Sequence, residues 1–166
     1  MIKISNVLVA TDFSDASASA LKYGREFARA FGARLHVLHV VDNPMMWVGP
    51  EAIGVDVARL QAELEASAQN TLNRLVTAED REQLKATPAI RTGSVPALEI
   101  ADYAKSEAID LILIGTHGRG LVGHLLMGSV AEKVVRIAPC PVLTVHHPEH
   151  EFIAPDALQV ARAAAH

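Results

Sequence analysis

The residues best placed to do chemistry form one run, Gly115-Thr116-His117-Gly118-Arg119-Gly120-Leu121-Val122-Gly123-His124-Leu125-Leu126-Met127-Gly128-Ser129. A mostly apolar stretch, Ile109-Asp110-Leu111-Ile112-Leu113-Ile114, precedes it and reads as a buried strand. Val130, Ala131, Val134 and Ile137 follow at helical spacing. A glycine-rich loop therefore leaves a strand and ends where a helix begins. That junction turns backbone N–H groups and the positive end of a helix dipole toward an anion, most simply a phosphate. Gly115 and Gly118 let the backbone come close to phosphate oxygens, and Gly128 frees the N–H groups of Ser129 and Val130. The Ser129 hydroxyl adds a further donor.

Two familiar motifs overlap this run and fail on context. Gly118-Arg119-Gly120-Leu121-Val122-Gly123 spells G-x-G-x-x-G. A dinucleotide fingerprint needs those glycines in the turn directly after the strand, at the opening of the helix, with an acidic residue about 20 positions on. Here the strand ends by Gly115, the helix waits until about Gly128, and the next strand ends in His146-His147. Gly123-His124-Leu125-Leu126-Met127-Gly128-Ser129 approaches a P-loop but lacks the lysine that neutralises the β- and γ-phosphates.

The surrounding elements alternate. A first strand is expected over residues 4–10, with the apolar core Val7-Leu8-Val9-Ala10 of a strand covered on both faces. Thr11-Asp12-Phe13-Ser14-Asp15 turns the chain, and Ser14 or Asp15 is placed to cap a helix whose face is Ala20, Leu21, Gly24, Phe27, Ala28 and Phe31. Gly32 ends it. A second strand, 34–41, carries His36 and His39, which are too few and too strand-bound to suggest a metal site. Asp42-Asn43-Pro44 breaks the pattern. The irregular, apolar stretch to Gly54, with Met45, Met46, Trp47, Val48 and Ile53, is expected to lie over the domain's own core or over a ligand.

A long helix follows on the stripe Val57, Leu60, Leu64, Ala68, Leu72 and Leu75, fading through Thr77-Ala78-Glu79-Asp80. The third strand is 87–92. Pro96 then sits in the first turn of a helix that buries Ala97, Ile100, Ala101, Ala104 and Ala108. Pro139-Cys140-Pro141 leads into a fifth strand, 142–146. The alternation predicts a doubly wound, open, mostly parallel five-stranded α/β sheet with helices on both faces, Rossmann-like. Residues 1–147 form the expected domain. Residues 148–166 form a tail, either a short helix through Ile153, Leu158 and Val160 or a frayed end. His146, His147 and His150 are the better metal suspects among the histidines, although a solvated tail is the plainer reading.

Composition narrows the function classes. A chain of 166 residues is expected to fold as one domain. Its net charge of −4, with no basic run, argues against a nonspecific nucleic-acid binder. No apolar stretch reaches the roughly 18 residues of a membrane span. Met1-Ile2-Lys3-Ile4-Ser5-Asn6-Val7 enters a strand pattern without a signal peptide's layout. The single cysteine, Cys140, excludes an intrachain disulfide and suits a reducing compartment, where it is expected to be a small buried filler. The expectation is a soluble cytoplasmic protein.

Gly115-x-x-Gly118, nine residues, then Gly128-Ser129 completes the G-2x-G-9x-G-[S/T] pattern of ATP-binding universal stress proteins, and the chain resembles that family. The likeness extends to Val7-Leu8-Val9-Ala10-Thr11-Asp12-Phe13-Ser14, to Gly128-Ser129-Val130-Ala131-Glu132-Lys133-Val134, and to Ala138-Pro139-Cys140-Pro141-Val142-Leu143. It covers about residues 4–145, with the 45–53 loop and the tail after His147 outside it.

The resemblance implies strand order 3-2-1-4-5, with Ala10 and Ile114 flanking the crevice where the order reverses, the usual ligand position in open α/β sheets. It implies that Ala10, Thr11 and Asp12 meet the nucleoside, with Asp12 the candidate ribose or metal contact. Val40 would offer backbone groups to adenine, and Ile114 and Gly115 would line the floor. Gly118, Gly128, Ser129 and Val130 would hold the phosphates, with Arg119 in reach of a triphosphate. The implied cofactor is ATP, with Mg²⁺ allowed beside it. The implied assembly is a homodimer paired along the fifth strand, Val142 to His146, acting on an unidentified protein partner.

The function implied is a nucleotide-responsive regulator of the stress response. No paired carboxylates, nucleophile with base, or lysine aimed at a γ-phosphate marks a dedicated enzyme. Slow hydrolysis or self-phosphorylation at Ser129 or Thr116 stays open. Two alternatives are a nucleotide-free scaffold, which the intact glycines oppose, and an adenine-nucleotide α-hydrolase. The latter would carry a serine- and glycine-rich loop where Thr11-Asp12-Phe13-Ser14 stands.

Overall fold

Val7, Leu8, Val9 and Ala10 have no polar side chain to turn toward water, and all four are buried. They form the middle of β1 (Asn6–Ala10), and the rest of the sheet is laid out from that strand. The computed structural model describes residues 1–44, 56–116 and 128–147. The other strands are β2 (Arg34–Val41), β3 (Thr87–Thr92), β4 (Leu111–Gly115) and β5 (Val142–Val145). They make one sheet in the order β3-β2-β1-β4-β5, with every pairing parallel. The open, doubly wound sheet expected from the alternation is the observed one.

Alternate residues of each strand feed two cores. Val7 and Val9, with Leu35, Val37 and Leu113, face α1 (Asp15–Phe31) and α2 (Val57–Leu75). Leu8, Ala10, Leu38, Ile112 and Ile114 face α4 (Pro96–Ser106) and α5 (Ser129–Ile137). Between α2 and β3 lies a short helix, α3 (Ala78–Gln83), in a stretch expected only to fade. Thr77 caps it, and the Asp80 carboxylate accepts the Thr77 N–H in return.

Asp80 is buried and reaches across the fold. Arg25 of α1 donates to both of its oxygens (2.9 and 2.8 Å) and also to the Leu75 carbonyl. Burial pushes the Asp80 carboxyl up, but the Arg25 and Thr77 hydrogen bonds and the Arg25 charge outweigh it and hold the group below its usual range.

Ser14 is the N-cap of α1, its hydroxyl accepting from the Ser17 N–H, and Gly32 closes the helix in the left-handed region at φ 63°. The apolar stripes needed correction at their margins. Phe31, Leu60 and Leu64 are exposed, and at Leu60 and Leu64 the side of α2 turned to β3 is instead the polar pair Gln61 and Glu65, which bond Thr92. Ala108 is exposed rather than part of the buried side of α4. It lies past that helix at φ 49°, turning the chain toward β4. Tyr23 and Tyr103 are buried instead.

Tyr103 pairs with the buried His36 of β2 (Oη to Nδ1, 2.9 Å), and the Arg91 guanidinium lies 5.6 Å over its ring. Burial first, and then the Glu107 charge, pushes the Tyr103 hydroxyl up to about 12. Burial holds the His36 imidazole below its usual value. Among the described residues no helix is long and apolar enough to cross a membrane.

Candidate functional site

Ala10 and Ile114 are register partners at the carboxyl ends of β1 and β4. From there the chain leaves β1 for α1 on one face, and leaves β4 for α5 on the other. The two helices lie on opposite faces, so strand order reverses between these ends, the usual position of a ligand crevice in open α/β sheets.

The lip after β1 is built from side chains. Thr11 N–H donates to the Leu38 carbonyl (2.9 Å). The Ser17 hydroxyl donates to the Ser14 carbonyl (2.8 Å), so in the 3.0 Å contact between Thr11 Oγ1 and Ser17 Oγ it is Thr11 that donates. Thr11 Oγ1 then accepts the Phe13 N–H at 3.1 Å. Asp12 Oδ1 accepts from both the backbone N–H and the hydroxyl of Ser14 (3.1 and 2.5 Å), an Asx turn. Phe13 sits at φ 66°, a left-handed conformation that is uncommon for a bulky residue. Its ring stacks on His39, with centroids 4.3 Å apart and planes 29° off parallel. His39 Nδ1 lies 2.8 Å from the Thr11 carbonyl.

β2 continues past the end of β1. Leu38 is the partner of Ala10, while His39, Val40 and Val41 extend beyond it. The Leu38 carbonyl points toward β1, and backbone direction repeats every second residue. The backbone groups of Val40 therefore turn to that same side, above the end of β1.

The lip after β4 is built from backbone. A Cβ on Gly115 would come within 2.7 Å of the Ala16 carbonyl carbon and 2.8 Å of its oxygen. Gly115 is thus required by the close approach of the first turn of α1, a reason different from the phosphate access expected of it. Thr116 is buried. Its N–H donates to the Val145 carbonyl (2.8 Å), its carbonyl accepts the Gly128 N–H, and its hydroxyl lies 2.9 Å from His146 Nδ1.

Gly128 is the N-cap of α5 and supplies no side-chain hydrogen bond to the helix. Ser129 is exposed and Val130 half-buried at the first turn. His147 Nδ1 contacts the Ser19 hydroxyl (3.1 Å). The two histidines thus address different elements, His146 the end of β4 and His147 α1. Among the described residues no group of three or more His, Cys, Asp or Glu could by itself hold a metal ion. Cys140, expected to be buried, is half-buried at the approach to β5, where burial pushes its thiol up.

Of the expected site residues, Ala10, Thr11, Asp12, Val40, Ile114, Gly115, Gly128, Ser129 and Val130 lie on the ends of β1, β2, β4 and the start of α5. Thr11 is buried, with its N–H, carbonyl and hydroxyl all engaged by protein groups. Gly118 and Arg119 lie outside the described residues, as do the 45–53 loop and the tail after His147. Sequence reasoning missed Phe13, His39 and Ser17 as builders of the β1 lip. The Asp-Phe-Ser run signals an Asx turn, but no spacing in the sequence signals the positive φ at Phe13 or its stacking on a residue of the next strand.

A family model described as the universal stress protein family matches residues 3–146. The chain is 33% identical over 146 residues to universal stress protein MJ0531 of Methanocaldococcus jannaschii, covering 87% of this chain and 84% of that one. It belongs to the universal stress protein family. Among solved structures, protein MJ0577 of the same organism superposes with a TM-score of 0.77 at 27% identity, covering 90% of this chain and 100% of that one. A universal stress protein from Archaeoglobus fulgidus, solved in complex with dAMP, superposes at 0.60 with 24% identity, covering 87% and 99%. At that identity the likeness is one of fold.

Proposed function

We propose that this universal stress protein binds ATP in the crevice between the ends of β1 and β4 and acts as a nucleotide-responsive regulator. The observation that carries the reading is the family spacing Gly115-x-x-Gly118, nine residues, Gly128-Ser129, whose described members lie at the switch point of the sheet. The start of α5, capped by a glycine, offers the Ser129 and Val130 N–H groups and the Ser129 hydroxyl to phosphate oxygens. Gly118 and Arg119 complete the phosphate end. Val40 turns its backbone groups to adenine over the end of β1, while Ala10, Ile114 and Gly115 form the floor. Asp12, held by Ser14, is the contact for the ribose or for Mg²⁺. A single carboxylate suits that ion, which keeps most of its shell as water and phosphate oxygens. The dAMP complex of the Archaeoglobus relative supports the reading at the level of the fold, which can hold an adenine nucleotide.

The protein holds the nucleotide more than it spends it. Thr116 is a poor phosphate acceptor because its hydroxyl is buried against His146, whereas Ser129 is exposed. The regulator works in the cytoplasm as a homodimer paired through the open edge of β5, signalling to a protein partner. Pairing would cover an edge that otherwise invites aggregation. Leu143→Asp should weaken that dimer, and light scattering that still reports an intact dimer would remove β5 from the interface.

Calorimetry tests the nucleotide reading. ATP should bind with about micromolar affinity or better. Gly118→Val, or Gly128→Ala with Ser129→Ala, should abolish binding while the far-UV spectrum stays native. No heat at millimolar ATP would leave the family's fold acting as a scaffold, and unchanged affinity in the variants would remove the phosphate site.

A further inference from the structure

His39 does more than fill space at the end of β2. The Thr11 carbonyl can only accept, so the 2.8 Å contact assigns the proton to His39 Nδ1 and makes the imidazole the donor. The same ring stacks on Phe13 at 4.3 Å. One side chain from β2 therefore grips the turn after β1 at two points, a backbone carbonyl and an aromatic ring. Between those points lies Asp12. Phe13 at φ 66° is a conformation that persists only where its surroundings over-determine it. Here the determinants are the Phe13 N–H on Thr11 Oγ1, the His39 ring, and the His39 hydrogen bond that anchors the Thr11 backbone. His39 also precedes Val40 directly, beyond the last β1–β2 pair. Its ring and the backbone of Val40 thus ride on one dipeptide. The clamp sets the position of Asp12 relative to Val40 across the mouth of the crevice.

We propose that His39 is a positioning residue for the nucleoside end of the site, holding the Thr11–Ser14 turn so that Asp12 and the Val40 backbone address one ligand together. The proposal rests on the ATP reading for its ligand, but the clamp itself is a property of the free protein. The donor and the ring can be separated. His39→Phe keeps a stacking ring and leaves the Thr11 carbonyl without its donor. His39→Asn discards the ring and can place an amide N–H where Nδ1 stands.

The test is ATP calorimetry on the full chain, with amide hydrogen exchange at Phe13 and Ser14 measured without nucleotide. His39→Phe should lose about tenfold or more in ATP affinity, the range expected when a buried acceptor is orphaned, and exchange faster at Phe13 while still unfolding cooperatively. His39→Asn should stay within about threefold of the parent, because it retains the hydrogen bond. Wild-type affinity in His39→Phe, or equal losses in the two variants, would overturn the proposal. If the parent chain takes up no ATP, the nucleotide reading fails on its own, and the clamp is judged by exchange. Unaltered Phe13 exchange in His39→Phe then overturns it.

Discussion

The two lips of the crevice solve one problem with opposite materials. After β1 the chain is fixed by side chains, with hydroxyls, a carboxylate and two rings interlocked over Thr11 to Ser17. After β4 the path depends on a missing side chain at Gly115 and on backbone hydrogen bonds to Thr116 and Gly128. In the first lip several contacts share the load, so the loss of one is expected to loosen the turn without undoing the fold. The second tolerates no gain, because added atoms have nowhere to go.

That asymmetry can be broken by substitution. Gly115→Ala should have the largest effect, since its Cβ meets helix backbone rather than a pliable side chain. A destabilisation at the upper end of the roughly 1–3 kcal/mol typical of overpacking is expected in urea unfolding. A variant as stable as the parent would mean that α1 yields easily and that the two lips are less unlike than they look. Ser14→Ala should cost less, about 1 kcal/mol, as the loss of a helix N-cap shared with the Asp12 turn. A loss as large as that of Gly115→Ala would show that the side-chain lip has no redundancy.

The smallest effect is one of pH, and it separates both lips from the body of the sheet. Burial holds His36 below its unfolded value near 6.5, so as pH falls below that value the unfolded chain takes up protons that the native state refuses. Stability should therefore be fully present above about pH 6.5 and decline as the pH drops toward the depressed native value. The melting temperature between pH 7 and 5 reads this out, and His36→Gln should flatten the decline. Faster amide exchange should appear around His36 and Tyr103, with Phe13 and Thr116 unmoved.

The sequence made much of this legible. Apolar runs gave most of the strands, though not the short β3, and Ser14 and Gly32 gave both ends of α1. The glycine spacing marked the β4 lip, because glycine and serine at set intervals survive as a pattern in one dimension. The β1 lip was legible only as Thr-Asp-Phe-Ser, since its defining contact comes from His39, which has no fixed spacing to it. The short α3 was missed for a related reason. Six residues have no room for an apolar period, and the partner that makes Asp80 burial tolerable is Arg25, on a different helix. The exposure of Leu60 and Leu64 shows the converse, a helical stripe whose apolar residues are not the ones that meet the sheet, where Gln61 and Glu65 bond Thr92 instead.

The hydrogen bond from Gly128 N–H to the Thr116 carbonyl has a consequence for how the sheet and α5 are joined. It fastens the start and the finish of residues 117–127 to one point, so whatever sequence lies between them departs from and returns to the same address. Thr116 and Gly128 thus act as one pin between the sheet and α5, so a change at either residue is felt at both.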